Sequence, residues 1–221
     1  MDHSQQAQKA KTFHQAALRN AGVVIDQLGD RQLCDYSTVD AGKVRDALID
    51  KGLSVLSVRR IFTTVKAVIN LAIAEHGLDI RNAFAAIYMP EAESKKRVSI
   101  PVETIRQIQQ SCMEHDDDMR WLIALISDTG MRLAEAAGLH IEDLRVDEDI
   151  PYVDIKPHPW RSLKTKGSQR QVPLVGASLW AAQRIKATAS SCFAFPRYTD
   201  NALCNANSAS NALNKWLHAN F

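Results

Sequence analysis

The sequence lacks the features that mark several specialised classes of protein. It contains no apolar run long enough to cross a membrane, so no membrane partner is expected. Its first residues carry no apolar signal-peptide core, which makes the cytoplasm the expected compartment. Aromatic residues are only 6% of the chain. With 221 residues, 46% of them hydrophobic, the chain is expected to be soluble and globular, with one large or two small domains.

Metal-binding and disulfide patterns are also missing. The four cysteines (Cys34, Cys112, Cys192 and Cys204) are far apart and form no CxxC pair, so reduced thiols are expected. No HExxH motif or paired-carboxylate site occurs, and neither a metal nor another cofactor is expected. The acidic run 116–118 is interpreted as a solvated helix N-terminus rather than a magnesium site.

Acidic residues are absent from one long segment of the chain. The net charge is only +2, but the segment 156–197 contains no Asp or Glu. Its eight basic residues are Lys156, Arg161, Lys164, Lys166, Arg170, Arg184, Lys186 and Arg197. A stretch of one sign can hold a polyanion such as nucleic acid, and a solvated basic face is the alternative.

Apolar periodicity predicts a fold that is mainly α with a small antiparallel β-sheet. The pattern predicts a bundle of about four helices over residues 1–88. It also predicts a charged linker that contains a proline over residues 89–98. The predicted helices run from about Gln5 to Leu28, from a cap at Thr38 or Asp40 to Gly52, from Ser54 to His76, and over 81–87. Within 99–221, Tyr152–Ile155 is a predicted strand that pairs with 171–174.

Three segments in this second part resemble the tyrosine recombinases, a family of phage-integrase-like proteins. Residues 128–139 resemble the "TGxRxxExxxL" box of the first catalytic arginine, and 163–174 resemble the β-hairpin of the catalytic lysine. Residues 195–197 and 208–217 are similar to the approach to that family's "HxLRH" box. The 1–88 bundle resembles the family's core-binding domain, and 99–221 would be an incomplete α+β catalytic domain.

The resemblance implies a site-specific recombinase that cuts and rejoins double-stranded DNA through a 3′-phosphotyrosyl intermediate, as a homo-tetramer. Arg132 would grip phosphate oxygens, since a guanidinium is planar and always charged. Glu135 would orient it, with an ordinary i,i+3 pair as the alternative. Lys164 or Lys166 would be the general acid, with Lys164 favoured.

Several basic and polar residues are DNA-binding candidates, and a solvated surface is the alternative for each. They are Arg59, Arg60, Thr63 and Lys66 on the longest helix of the bundle, Lys95 and Lys96 in the linker, and Arg170 in the hairpin. Contacts of this kind with phosphates would position the DNA, and a few side chains would distinguish bases.

The sequence also departs from the family pattern. His158 does have an arginine three positions later (Arg161), but it precedes the hairpin, whereas the family's box would follow residues 208–217. The four tyrosines (Tyr36, Tyr88, Tyr152 and Tyr198) all precede the family's nucleophile position. The chain is therefore expected to be a fragment that binds DNA without cleaving it. A recombinase-derived protein that only occupies DNA is the alternative, and a helical protein–protein adaptor is a third hypothesis.

Overall fold

The computed structural model describes residues 3–92 and 98–221, with the backbone alone for residues 3–12 and Lys166. The chain divides into two compact units, His3–Arg97 and Val98–Phe221. The described residues are mainly helical with a three-stranded antiparallel sheet, which confirms the predicted fold class. The helices are α1 His3–Leu28, α2 Thr38–Asp50, α3 Val55–His76, α4 Val102–His115, α5 Asp118–Thr129, α6 Leu133–Ala137, α7 Gly176–Ala187 and α8 Ala206–Asn220. The strands are β1 Leu144–Arg145, β2 Tyr152–Ile155 and β3 Arg170–Pro173.

Caps define the helices of the first unit. Ser54 caps α3 and Gly77 ends it in the left-handed region with φ 58°, as the sequence predicts. The cap of α2 is Ser37, not Thr38 or Asp40. The Ser37 hydroxyl accepts the backbone N–H of Asp40, and the Asp40 carboxylate accepts the N–H of Ser37. The two side chains thus satisfy both backbone donors reciprocally.

The predicted helix over 81–87 is wrong, because a turn over 83–86 occupies its place. The Asn82 amide donates to the Lys66 carbonyl and to the Asn70 side chain, and its oxygen accepts the N–H of Phe84. An asparagine that bonds to nearby backbone competes with helix formation. The turn places Phe84 in the core, 5.8 Å from the ring of Phe62.

The second unit is built around α5, which packs against α4 and α7. Leu122 and Leu125 of this helix are fully buried with Leu139, Leu144 and Phe195. The sheet runs in the order β1-β2-β3, and β3 aligns Arg170 with Ile155. Sheet and helices together enclose one core, and the segment between β2 and β3 leaves it towards α6.

The acidic run of this unit has structural roles. Asp116 ends α4 at a φ of 48° and pairs with Arg184 at 2.7 Å. Asp117 caps α5 by accepting the N–H of Arg120. The described residues contain no group of three or more His, Cys, Asp or Glu side chains placed to hold a metal ion.

Candidate active site and nucleic-acid interface

A tight turn between α5 and α6 presents Arg132. Gly130 ends α5 with φ 60°, a left-handed conformation that favours glycine. Met131 then turns into the core, where it is buried. Arg132 follows in an extended conformation immediately before α6, and 51% of its side chain is exposed. The turn therefore anchors the backbone in the core and leaves the guanidinium accessible.

The buried carboxylate of Glu135 holds this guanidinium in place. Its carboxylate, only 3% exposed, accepts Arg132 Nη1 at 2.7 Å, the Arg132 backbone N–H at 3.0 Å and Arg170 Nη2 at 3.1 Å. Burial raises the pKa of Glu135, but these three donors more than offset it, and the pKa is lowered overall. Because Arg170 lies on β3, Glu135 is a bridge between α6 and the sheet as well as an i,i+3 partner.

Ser168 connects Arg132 to the segment between β2 and β3. Arg132 Nη1 donates to Ser168 Oγ at 3.2 Å, and that hydroxyl lies 2.9 Å from Thr165 Oγ1. Ser168 is buried, and its carbonyl accepts Arg170 Nη1 at 2.9 Å. Sequence reasoning missed Ser168, because a serine in a turn carries no signal of a contact with a distant arginine.

Lys164 extends from the same segment. It is exposed, while Leu163 before it packs against the core of the unit. The turn Lys166–Ser168 follows directly. The Lys166 side chain lies outside the described residues, so the choice between the two lysines stays a prediction.

Ion pairs neutralise most of the acid-free segment 156–197. Acids from elsewhere in the fold pair with five of its bases, in the pairs Lys156–Asp143, Arg170–Glu135, Arg184–Asp116, Lys186–Asp147 and Arg197–Asp118. A sixth base, Arg161, is buried. Among the described side chains of this segment, Lys164 is therefore the exposed base without an acidic partner. The segment is not a uniformly basic surface, and Lys164 is its candidate for a phosphate contact.

The four candidates on α3 lie on two different faces. Lys66 donates to the Ala85 carbonyl at 3.3 Å and Arg59 to the Pro90 carbonyl at 3.4 Å, while the Thr63 hydroxyl bonds back to the Arg59 carbonyl. These three side chains form one stripe tied to backbone. Arg60 points elsewhere, and Lys95 and Lys96 lie outside the described residues.

Arg60 lines a groove between α1 and α3. The groove has a volume of about 380 Å³, and its other polar lining residues are Arg19, Asn20, Ser57 and Thr64. Arg19 and Arg60 are both exposed, and neither makes an ion pair with a described residue. Sequence reasoning missed Arg19, although its position on a long helix with one apolar side could have suggested a solvent-facing role.

A buried charged network lies beneath the segment between β2 and β3. Asp143 is fully buried, 2.7 Å from His158 Nε2 and 2.9 Å from Lys156 Nζ. Burial lowers the pKa of His158, although the Asp143 carboxylate opposes that shift. His158 also stacks on Trp160, with ring centroids 4.6 Å apart.

Acidification is expected to destabilise the second unit through His158. A folded-state pKa below the unfolded value of about 6.5 means that the unfolded chain binds the proton first. Stability is therefore unaffected by His158 above about pH 6.5 and falls as the pH drops below it. Urea unfolding at pH 7 and pH 5.5, followed by tryptophan fluorescence, measures the effect. In His158→Gln this part of the pH dependence disappears, and a His158 NMR titration midpoint above 6.5 would contradict the account.

Residues 99–219, more than half of the chain, match the model of the phage integrase family. The chain belongs to the phage integrase family. This match confirms the assignment to the tyrosine recombinases that the arginine box and the hairpin indicate in the sequence. Arg132, Glu135, Lys164, Ser168 and Arg170 all lie inside the matched range.

Solved integrases share the fold of this phage integrase family chain. The Tn1549 transposon integrase, in complex with a circular intermediate DNA, superposes with a TM-score of 0.66 at 16% identity, covering 100% of this chain and 75% of that one. A lambda integrase tetramer bound to a Holliday junction gives a TM-score of 0.67 at 17% identity, covering 92% of this chain and 56% of that one. At such identities the likeness establishes the fold. No curated protein matches the chain in a sequence comparison.

None of the helices in residues 3–92 and 98–221 is both long and apolar enough to cross a lipid bilayer.

Proposed function

We propose that this chain is the DNA-binding part of a site-specific recombinase and that Arg132 is its phosphate ligand. The observation that carries the proposal is the arrangement around Arg132. A buried carboxylate holds the guanidinium, yet about half of the side chain stays exposed, beside a segment that carries the exposed Lys164. A charge fixed before the ligand arrives needs little reorganisation when it binds an anion.

The proposed reaction of the longer parent recombinase is phosphoryl transfer. A tyrosine hydroxyl attacks a DNA phosphorus and loses its proton, the bond to the 5′ oxygen breaks, and a 3′-phosphotyrosyl bond forms. Arg132 binds the non-bridging oxygens, whose charge increases in the transition state. Lys164, or Lys166, gives the proton to the departing 5′ oxygen. Glu135 accepts hydrogen bonds from Arg132 and does not contact the substrate.

In the proposed domain organisation, residues 1–88 form a core-binding domain, 89–98 a linker and 99–221 a partial catalytic domain. In the core-binding domain, the groove with Arg19 and Arg60 supports a contact with the phosphate backbone, because these cations are exposed and make no ion pair with a described side chain. Arg59, Thr63, Lys66, Lys95, Lys96 and Arg170 remain DNA-binding predictions. We propose that the parent acts on double-stranded DNA as a homo-tetramer, as lambda integrase is seen on a Holliday junction.

The placement of the tyrosines favours a chain that binds DNA without cleaving it. Tyr198 is buried, the Tyr36 hydroxyl donates to the Gly29 carbonyl, and Tyr152 lies in the central strand β2. Tyr88 is exposed but lies in the first unit, outside the family match. Neither tyrosine of the second unit, Tyr152 or Tyr198, has a hydrogen bond to Arg132 in the described structure. A protein that occupies DNA without cutting it is therefore the second candidate function.

One titration with a labelled duplex separates these hypotheses. We expect the affinity to fall by a factor of about ten or more between 50 and 200 mM salt, because each phosphate contact releases counterions. Denaturing electrophoresis of the same mixture is expected to show no covalent protein–DNA product. A salt-independent or absent affinity contradicts DNA binding and favours the adaptor hypothesis, whereas a covalent product contradicts the assignment of this chain as non-cleaving.

A further inference from the structure

A buried cation, Arg161, lies next to the candidate site and has no hydrogen bond to Arg132. Arg161 is 4% exposed. Its Nη1 donates to the backbone carbonyl of Glu135 at 2.7 Å, and its Nη2 donates to the carbonyl of Lys156. Its Nε has no hydrogen-bond partner among the described residues. Burying a guanidinium costs free energy that a neutral side chain would avoid, so its presence calls for a specific contribution.

That contribution is directed at α6, the helix that carries Glu135. With five residues, α6 is too short to be stable by itself. Its C-terminal carbonyls need partners, and side chains from other segments supply them. Arg161 binds the Glu135 carbonyl, Thr199 Oγ1 donates to Ala137 at 2.8 Å, and Trp160 Nε1 donates to Gly138 at 2.9 Å.

The two donors next to each other, Trp160 and Arg161, belong to one rigid turn. Residues His158 and Arg161 exchange two backbone hydrogen bonds of 3.0 Å each. The Trp160 ring stacks on His158 and meets the ring of Phe193 edge-on at 4.9 Å. The turn is therefore held on both sides before its donors reach α6.

Gly138 provides an independent indication of how closely Arg161 approaches α6. A Cβ at this position would lie 2.7 Å from Arg161 Cδ and 3.2 Å from its Cβ. The backbone of Gly138 has a φ of −96°, which any residue can adopt. Glycine is thus needed here for space, because the Arg161 side chain lies flat against it.

We propose that Arg161 is a positioning residue for Arg132, acting through Glu135. Arg161 holds the main chain of Glu135, and the side chain of Glu135 holds the guanidinium of Arg132. The inference rests on the proposed role of Arg132 as a phosphate ligand. Arg161 itself is too deeply buried to touch DNA, so the proposal predicts that its effect on DNA binding passes through Arg132.

A double-mutant cycle tests the proposal on the 221-residue chain with a labelled duplex. Arg132→Ala is expected to lower the affinity roughly tenfold and to reduce the slope of log K against log salt by about 0.9, the value of one phosphate contact. Arg161→Met keeps a long apolar stem against Gly138 but removes the donors, and we expect a loss in the same direction. In the Arg132→Ala background, Arg161→Met should add nothing. Arg145→Met, which replaces an exposed arginine of β1, is the matched control. It should leave the phosphate contact of Arg132 in the second unit unchanged.

Arg161→Lys separates position from charge. Lysine keeps the charge but cannot hold both carbonyls with a planar fork, so we expect it to lose affinity as well, again only when Arg132 is present. If Arg161→Met unfolds the second unit, the affinity of Arg161→Lys tests the proposal instead. Full wild-type affinity in Arg161→Lys, or a loss that persists in the Arg132→Ala background, overturns the proposal.

The outcomes also distinguish this inference from the proposed function. If the wild-type chain shows no salt-dependent affinity, or if Arg132→Ala changes nothing, the function assigned to Arg132 fails. If Arg132→Ala behaves as expected while Arg161→Met and Arg161→Lys keep the wild-type slope, only the role of Arg161 is overturned.

Discussion

Replacing Glu135 with alanine is expected to destabilise the second unit by about 2–3 kcal/mol. The substitution leaves Arg132 and Arg170 without their shared carboxylate and removes the acceptor of the Arg132 backbone N–H. Both guanidinium groups keep some contact with water, which limits the loss to less than that of a fully buried pair. Even so, this is a large share of the stability of a small domain.

Urea unfolding followed by tryptophan fluorescence measures this effect in the right unit. All four tryptophans, Trp121, Trp160, Trp180 and Trp216, lie in the second unit. Glu142→Ala is the matched control, because Glu142 is exposed and should change stability by less than about 0.5 kcal/mol. An unfolding midpoint for Glu135→Ala equal to that of Glu142→Ala would contradict the bridge between α6 and β3.

The same variant has a defined pH dependence. Because the folded-state pKa of Glu135 is lowered, its carboxylate stabilises the fold above the unfolded pKa of about 4.3. That stabilisation is lost as the pH falls through the lowered pKa. The difference between wild type and Glu135→Ala should therefore be constant near neutral pH and shrink below about pH 4.

Local rules predicted much of the fold from the sequence. Ser54 and Gly77 bound α3 because a side-chain acceptor starts a helix and a left-handed glycine ends one. Gly130 and Gly138 likewise bracket the short helix after Arg132, and the alternation of Tyr152–Ile155 predicted β2. The arginine box was found by its resemblance to a family, since a lone exposed arginine carries no signal of its own.

The errors arose where a side chain replaced a backbone partner. Asn82 takes over the hydrogen bonds that the predicted helix over 81–87 would have needed, and the cap of α2 is Ser37 rather than the predicted Thr38 or Asp40. Both residues are common in turns and caps, so their type was informative. Which backbone group each one bonds to depends on the neighbouring elements, and sequence periodicity does not contain that information.

Charge was the least predictable feature of the candidate site. The acid-free segment 156–197 suggested a continuous basic surface, but acids distant in sequence pair with most of its bases in the fold. Arg161 departs furthest from expectation, because arginine is rarely buried and nothing in the sequence distinguishes it from Lys164. Only the three-dimensional structure separates an exposed lysine, a shared ion pair and a buried cation within this segment.

Removing the guanidinium of Arg132 from the proposed longer parent recombinase is expected to slow DNA cleavage by about 10²–10³-fold. Arg132 is proposed to bind the oxygens that gain charge in the transition state, so its loss should affect the rate far more than DNA affinity, which should change by no more than roughly tenfold. Glu135 would keep Arg170 as a partner, so the fold should persist. Arg145→Ala removes an equal charge at an exposed position of β1 and is the matched control.

The rate of covalent protein–DNA product formation on a nicked duplex, measured for wild type, Arg132→Ala and Arg145→Ala of that parent, is the most direct test. The account predicts a loss of about 10²–10³-fold for Arg132→Ala alone, with its DNA complex retained. A wild-type rate for Arg132→Ala would contradict the account and make Arg132 an ordinary surface arginine.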